Sequence, residues 1–312
     1  MPLDLSSEDS IVHLSLPSGS ATADVLLFGA TVISFKTGQK ERLFLSSACP
    51  LDGSSAVRGG IPLIFPVFGP ASDHKDNHGL EKVPRHGIAR TAMWKLRSEV
   101  GAKEDGKDDS GEEQVTASFA LSSKDVKGIA GFYQWPFELE YDVTLTSTTL
   151  TTSLHITHVA SSSSSSSSSA EPMRFQTLQH TYLHVPSSLS ASISGLQGQS
   201  YLDKTDSAAT KTLQSDPIVL NGKESDAVFL GPAPPAVDVA YGGGEGGVRV
   251  KRSPNCPNTT VWNPAEEKAN GMKDLHEGGW KEFVCVEPGT VVGFEELVAG
   301  KTFTATQTLE AF

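Results

Sequence analysis

The stretch Phe137-Glu138-Leu139-Glu140-Tyr141-Asp142-Val143-Thr144-Leu145 decides the fold class. Apolar and polar side chains alternate strictly along it. A period of two matches the pleat of a strand with one face on a core and the other on solvent, and no helix would sort these residues so cleanly. On its N-terminal side, Val115, Ala117, Phe119 and Leu121 alternate with Thr116, Ser118 and Ala120. Similar alternation runs through Val25 to Phe35, Leu150 to Ile156, Leu189 to Ile193 and Phe303 to Leu309, with turn residues between the runs. No long helical stripe interrupts them. Many strands at short spacing without a βαβ rhythm predict an all-β chain, an antiparallel sandwich or barrel with few short helices.

The 312 residues are compatible with one large β domain spanning 1–312. Three stretches read as surface loops inserted between strands: Gly101 to Glu113, the serines Ser161 to Ser169, and the Pro/Gly-rich Gly231 to Gly247. Such compositions bury too little apolar surface to offset the entropy of ordering. A formal net charge of −12 argues against a nucleic-acid or anionic-membrane partner. It also repels an anionic small molecule, so phosphate recognition would need a local cluster of arginines. Cys49, Cys256 and Cys285 are too scattered for a disulfide framework or a Cys-based zinc site and read as buried free thiols. The polar, acidic start of the chain and the lack of any long apolar run predict a soluble, cytoplasmic protein.

Gly242, Gly244 and Gly247 fit a dinucleotide-binding spacing, but Val248-Arg249-Val250-Lys251 follows as a strand where that motif requires a helix. His74, His78 and His86 lie in a solvated loop without the partners of a metal motif, so no metal site is expected. More informative is Arg58-Gly59-Gly60-Ile61-Pro62-Leu63-Ile64-Phe65-Pro66-Val67-Phe68-Gly69, followed by Pro84-Arg85-His86-Gly87-Ile88-Ala89-Arg90. Paired glycines allow sharp turns and close backbone approach, while Arg58, Arg85, His86 and Arg90 supply cations or donors. His180 and Tyr182 share one strand face. Glu287 ends an apolar strand before a Pro-Gly turn, where a carboxylate either caps the turn or has its pKa tuned at a strand-end mouth. Read from spacing alone, His180 and Glu287 are one strand histidine and one strand-end carboxylate.

Taken in order, the RGGIPLIFPVFG run, PRHGIAR with Trp94 after it, LQHTYLHV, GLQGQSYLDK, KESDAVF, VWNP and CVEPG resemble the glucose-6-phosphate 1-epimerase branch of the aldose 1-epimerase (galactose mutarotase-like) family. The resemblance covers most of the chain. It implies a β-supersandwich with a sugar on a concave sheet, His180 and Glu287 as the catalytic pair, and Arg58, Arg85, Arg90 and Asp226 at substrate-contacting positions. Two residues depart from the family pattern: Arg85 stands where Gln is common before the His-Gly pair, and Ala227 where Arg is common after the Asp.

The implied reaction is anomer exchange of a small-molecule sugar phosphate by a monomer. It needs the C1 hydroxyl deprotonated while the ring oxygen is protonated, so two proton-carrying groups suffice and no cofactor is required. On reference pKa values of about 4.3 for a carboxylate and about 6.5 for an imidazole, Glu287 is the base and His180 the acid. Two rival readings are an aldose 1-epimerase acting on unphosphorylated sugars and a noncatalytic carbohydrate-binding protein on the same fold.

Overall fold

The computed structural model describes residues 10–98, 111–160 and 171–312. Its architecture is built from antiparallel sheets, and the longest helix among the described residues is Ala265–Ala269. No helix there is long and apolar enough to cross a membrane.

One nine-stranded sheet takes most of the alternating segments of the sequence. Its order is Ile218–Val219, Ser192–Ser194, Ala236–Ala240, Gly247–Arg252, Thr302–Ala311, Thr149–His158, Phe137–Leu145, Val115–Ser122 and Lys95–Ser98. The register pairs Tyr141 with both Phe119 and Leu154, so the apolar sets of three neighbouring strands share one face. An eight-stranded sheet runs Ala209–Thr212, Ser200–Asp203, Ser225–Phe229, Asn258–Asn263, Phe283–Leu297, Met173–Gln179 and Leu63–Ile64, with Tyr182–His184 also paired to Phe283–Leu297. The two sheets share a core in which Phe65 packs against Tyr133, Phe137 and Phe175 at ring-centroid separations of 5.1 to 5.9 Å. A four-stranded sheet from Ile11–Ser15 to Lys40–Glu41 completes the framework.

Three segments differ from their sequence expectation. Val25 to Phe35 is not one strand: Ala21–Leu26 and Thr31–Thr37 are joined by a turn in which Gly29 and Ala30 take φ of 75° and 43°. Gly29 is required there, because a Cβ would lie 2.7 Å from the Arg90 carbonyl oxygen. In Leu189 to Ile193 the strand begins only at Ser192, and Leu189 is 42% exposed. Gly231 to Gly247 is not a loop throughout, since Ala236–Ala240 is an inner strand paired on both sides. Its Pro/Gly flanks hid a short alternation in which Val237 and Val239 are buried. Of the other two expected loops, 101–110 and 161–169 lie outside the described residues.

Candidate active site

The floor of the site is the eight-stranded sheet. Phe283–Leu297 pairs with Asn258–Asn263 on one side and with Tyr182–His184 on the other, matching Glu287 to Thr260 and Cys285 to both Trp262 and Tyr182. Strand alternation then splits the residues by face. Leu183, Val261, Val284 and Val286 enter the central core, while Tyr182, Trp262, Phe283 and Cys285 form a second apolar cluster on the opposite side. Both faces are covered, so Phe283 to Val291 is buried without a break.

His180 sits where the chain leaves this ladder. The Thr181 N–H donates to the Gln179 carbonyl at 2.9 Å, a three-residue turn between Met173–Gln179 and Tyr182–His184. Gln179 and Thr181 turn into the protein, where a buried network ties them to the other sheet. Gln307 Nε2 donates to Gln179 Oε1 at 3.1 Å, Thr152 Oγ1 donates to the same oxygen at 2.6 Å, and Thr181 Oγ1 donates to Gln307 Oε1 at 2.9 Å. His180, between them, faces the cleft. Its ring stacks on Tyr182 at 4.8 Å and 9°, and Trp262 meets it edge-on at 5.7 Å.

Two loops build the wall. Gly59 and Gly60 have φ of 137° and 62°, and an added Cβ would stand 2.4 Å from the Phe44 oxygen and 2.0 Å from the Val32 oxygen. The backbone that these glycines approach is therefore the protein's own. They set Arg58 in place, and its guanidinium donates to the Tyr182 hydroxyl at 3.0 Å and pairs with Asp274 at 3.0 Å. His86 takes the left-handed φ of 63°, and Gly87 after it lies so close to Phe65 that a Cβ would be 1.9 Å from its carbonyl oxygen. The Gly69 N–H donates to His86 Nδ1 at 3.2 Å, which leaves Nε2 to carry the ring proton. Burial beside Arg90 holds His86 neutral, its pKa lowered to about 2.

Arg58, Arg85, His86, Arg90, His180, Asp226 and Glu287, all seven residues singled out in the sequence, line this one cleft of about 410 Å³. The cations differ in how they are compensated. Arg58 has Asp274, Lys204 has Asp73 at 3.1 Å, and Lys268 has Glu224. Among the described residues neither Arg85 nor Arg90 has a carboxylate partner. Arg90 donates to the Arg85 carbonyl at 3.0 Å, its Nε is buried without a partner, and burial lowers its pKa to about 10. A cation in that condition is a site for an anion.

His180 Nδ1 lies 3.3 Å from Glu287 Oε1, with side-chain exposures of 13% and 1%. Neither Glu287 oxygen has a hydrogen bond, and neither does His180 Nδ1. Burial, reinforced by the charge of Asp226, raises the Glu287 pKa well above the carboxylate range. Burial together with Arg58 and Arg90 lowers that of His180 to about 3. Burial in the cleft therefore favours a neutral imidazole beside a carboxylic acid, the reverse of the distribution expected from reference pKa values. The proton count of the pair is one in either case. Burial likewise raises Asp226, which lies on the strand Ser225–Phe229.

Sequence reasoning missed Asp274, whose pairing with Arg58 links residues far apart in the chain, and passed over Thr260, whose place facing Glu287 follows only from strand register. The three histidines weighed as a metal motif do not converge: the His74 ring bonds the Phe68 carbonyl, His78 is exposed, and His86 alone lines the cleft. A broader depression bounded by Asp238 and Arg249 lies elsewhere, and those two charges satisfy one another at 2.7 Å.

Residues 12–310 match the aldose 1-epimerase family. A protein of Escherichia coli K12 named "putative glucose-6-phosphate 1-epimerase" is 30% identical over 271 residues, which cover 85% of this chain and 78% of that protein. One of the same name from Cenchrus ciliaris is 27% identical over 280 residues, covering 86% and 75%. The crystal structure of a Salmonella typhimurium protein described as a "putative mutarotase" shares the fold, with a TM-score of 0.79 at 24% identity over 96% of this chain and 90% of that one.

Proposed function

The chain belongs to the aldose 1-epimerase family, and on that premise we propose that it interconverts the α and β anomers of glucose 6-phosphate, with His180 and Glu287 as the acid/base pair. One member of the pair takes the C1 hydroxyl proton while the other protonates the ring oxygen. The hemiacetal opens to the aldehyde, C1 rotates about the C1–C2 bond, and the reverse transfers close the other anomer. Asp226 accepts hydrogen bonds from sugar hydroxyls. Arg85 and Arg90 hold the 6-phosphate.

The observation that carries this reading is the 3.3 Å approach of two unsatisfied proton carriers, His180 and Glu287, in one cleft with the uncompensated Arg90. A sugar supplies the hydrogen bonds that the pair lacks, and a phosphate supplies the anion that Arg90 lacks. The names of the E. coli and Cenchrus relatives point to the same substrate.

Proton NMR of freshly dissolved α-glucose 6-phosphate tests the proposal by following the approach to anomeric equilibrium with and without protein, with free glucose as control. Acceleration of the phosphorylated sugar far above a residual acceleration of free glucose is expected. Equal acceleration of both would replace the reading with an aldose 1-epimerase on unphosphorylated sugars. No acceleration of either would leave a sugar-binding protein.

A further inference from the structure

We infer that His180, Cys285 and Glu287 form a capture site for a thiophilic divalent cation such as zinc or cadmium, and that occupation of this site blocks the acid/base pair.

Cys285 and Glu287 are two residues apart on one strand and therefore share a face, and His180 reaches the same point from the neighbouring segment. One donor atom from each lies within 4.8 Å of the other two. Bonds of about 2.0 to 2.3 Å around a tetrahedral zinc put its ligands roughly 3.3 to 3.7 Å apart. The His180 to Glu287 separation of 3.3 Å already satisfies this, and the thiol has on the order of 1 Å to close.

The second support is the state of the donors. Both Glu287 oxygens and His180 Nδ1 are buried without hydrogen-bond partners in the protein, so no hydrogen bond within the fold has to break for a cation to bind them. Three protein ligands with the fourth position toward the cleft is also the count of an open zinc site.

Charge decides whether a dication is tolerated beside Arg58 and Arg90. Bound as thiolate and carboxylate, Cys285 and Glu287 supply two negative charges that offset the dication, and any proton either group carried passes to solvent. A thiolate in the set selects zinc and cadmium over magnesium, which takes oxygen ligands.

The coordination rests on side-chain geometry alone, and only the loss of turnover rests on the proposed function, so the test reads them separately. Cadmium is titrated into the wild-type protein while the ultraviolet thiolate-to-metal charge-transfer band is followed. One equivalent is expected to saturate the band, which Cys285→Ala should abolish. Cadmium-113 NMR of a protein with Cys49 and Cys256 replaced by Ser, which keeps Cys285 as its one thiol, gives the answer even if Cys285→Ala does not fold: a single sulfur ligand is expected, and its absence would overturn the site. Zinc should stop anomer exchange in the wild type while the same concentration of magnesium does not. In Cys285→Ala, exchange should persist with zinc inhibition weakened by more than about 100-fold, beyond the loss expected for an outer-shell partner. Absence of the band in the wild type would overturn the site. So would its persistence in Cys285→Ala, which would put the metal on Cys49 or Cys256, or equal zinc inhibition of both proteins.

Discussion

At the residue scale, the pair His180 and Glu287 is separable from folding. Glu287→Gln and His180→Ala should each lower the catalysed anomer-exchange rate by about 10²- to 10⁴-fold, the range of general acid/base contributions. Circular dichroism should show both variants folded, because neither side chain has a hydrogen bond to lose. His180 also sets a pH dependence of stability. Its folded pKa is lowered to about 3, so below about pH 6.5 the unfolded chain takes up a proton that the folded ring refuses. The stability it contributes is fully present above that pH. It falls by about 1.4 kcal/mol per pH unit on acidification, until the folded ring titrates. Thermal melts between pH 8 and 5 should show a shallower acid limb in His180→Gln than in the wild type. The arginines divide by partner. Arg58→Ala would free Asp274 and Tyr182, the ring stacked on His180, and so disturb any sugar. Arg90→Ala removes an uncompensated cation, and should raise KM for glucose 6-phosphate by about 10- to 100-fold while leaving free glucose unaffected, a span set by charge-assisted bonds of about 1.5 to 3 kcal/mol. Steady-state kinetics on the two sugars checks this.

At the element scale, the bond network behind His180 makes the turn at Gln179 to Thr181 answer to the opposite sheet. Gln307→Leu would remove one of the two donors to Gln179 Oε1 and the shorter of the two bonds from Thr181 Oγ1, at about 0.5 to 1.5 kcal/mol for each bond lost. It should lower both the melting temperature and kcat, with KM nearly unchanged, because Arg85 and Arg90, the proposed phosphate contacts, lie on other segments. Strands with one wet face were legible as alternation: Phe137–Leu145 and Thr149–His158 are found where the pattern puts them. Phe283 to Val291 does not alternate, because core covers one face and the site covers the other. Glu287 therefore looked like a strand-end residue, although its strand continues to Leu297. The break between Ala21–Leu26 and Thr31–Thr37 was hidden because Phe28 and Ala30, within the turn, are themselves buried.

At the scale of the whole molecule, the seven site residues named from the sequence come together because the ordered motifs, rather than any local pattern, tied them to a family fold. Partners such as Asp274 were illegible for a physical reason: a contact across more than two hundred residues leaves no periodic trace. The core joining the sheets can be tested at Phe65, which is fully buried between them. Phe65→Ala should cost about 3 to 5 kcal/mol, read by chemical denaturation. That core and the cleft stand back to back on one sheet, with Val286 on one side and Glu287 on the other. Glu287 and the core thus share a wall, whereas Arg85 and Arg90, the proposed phosphate contacts, stand on loops outside it. Heating should extinguish catalysis only as the sandwich itself melts, yet Arg85, exposed on its loop, should be replaceable with little change in the melting point, unlike the glycines that seat the loops. In such an architecture the reaction is inherited with the fold, and the choice of substrate is upholstery.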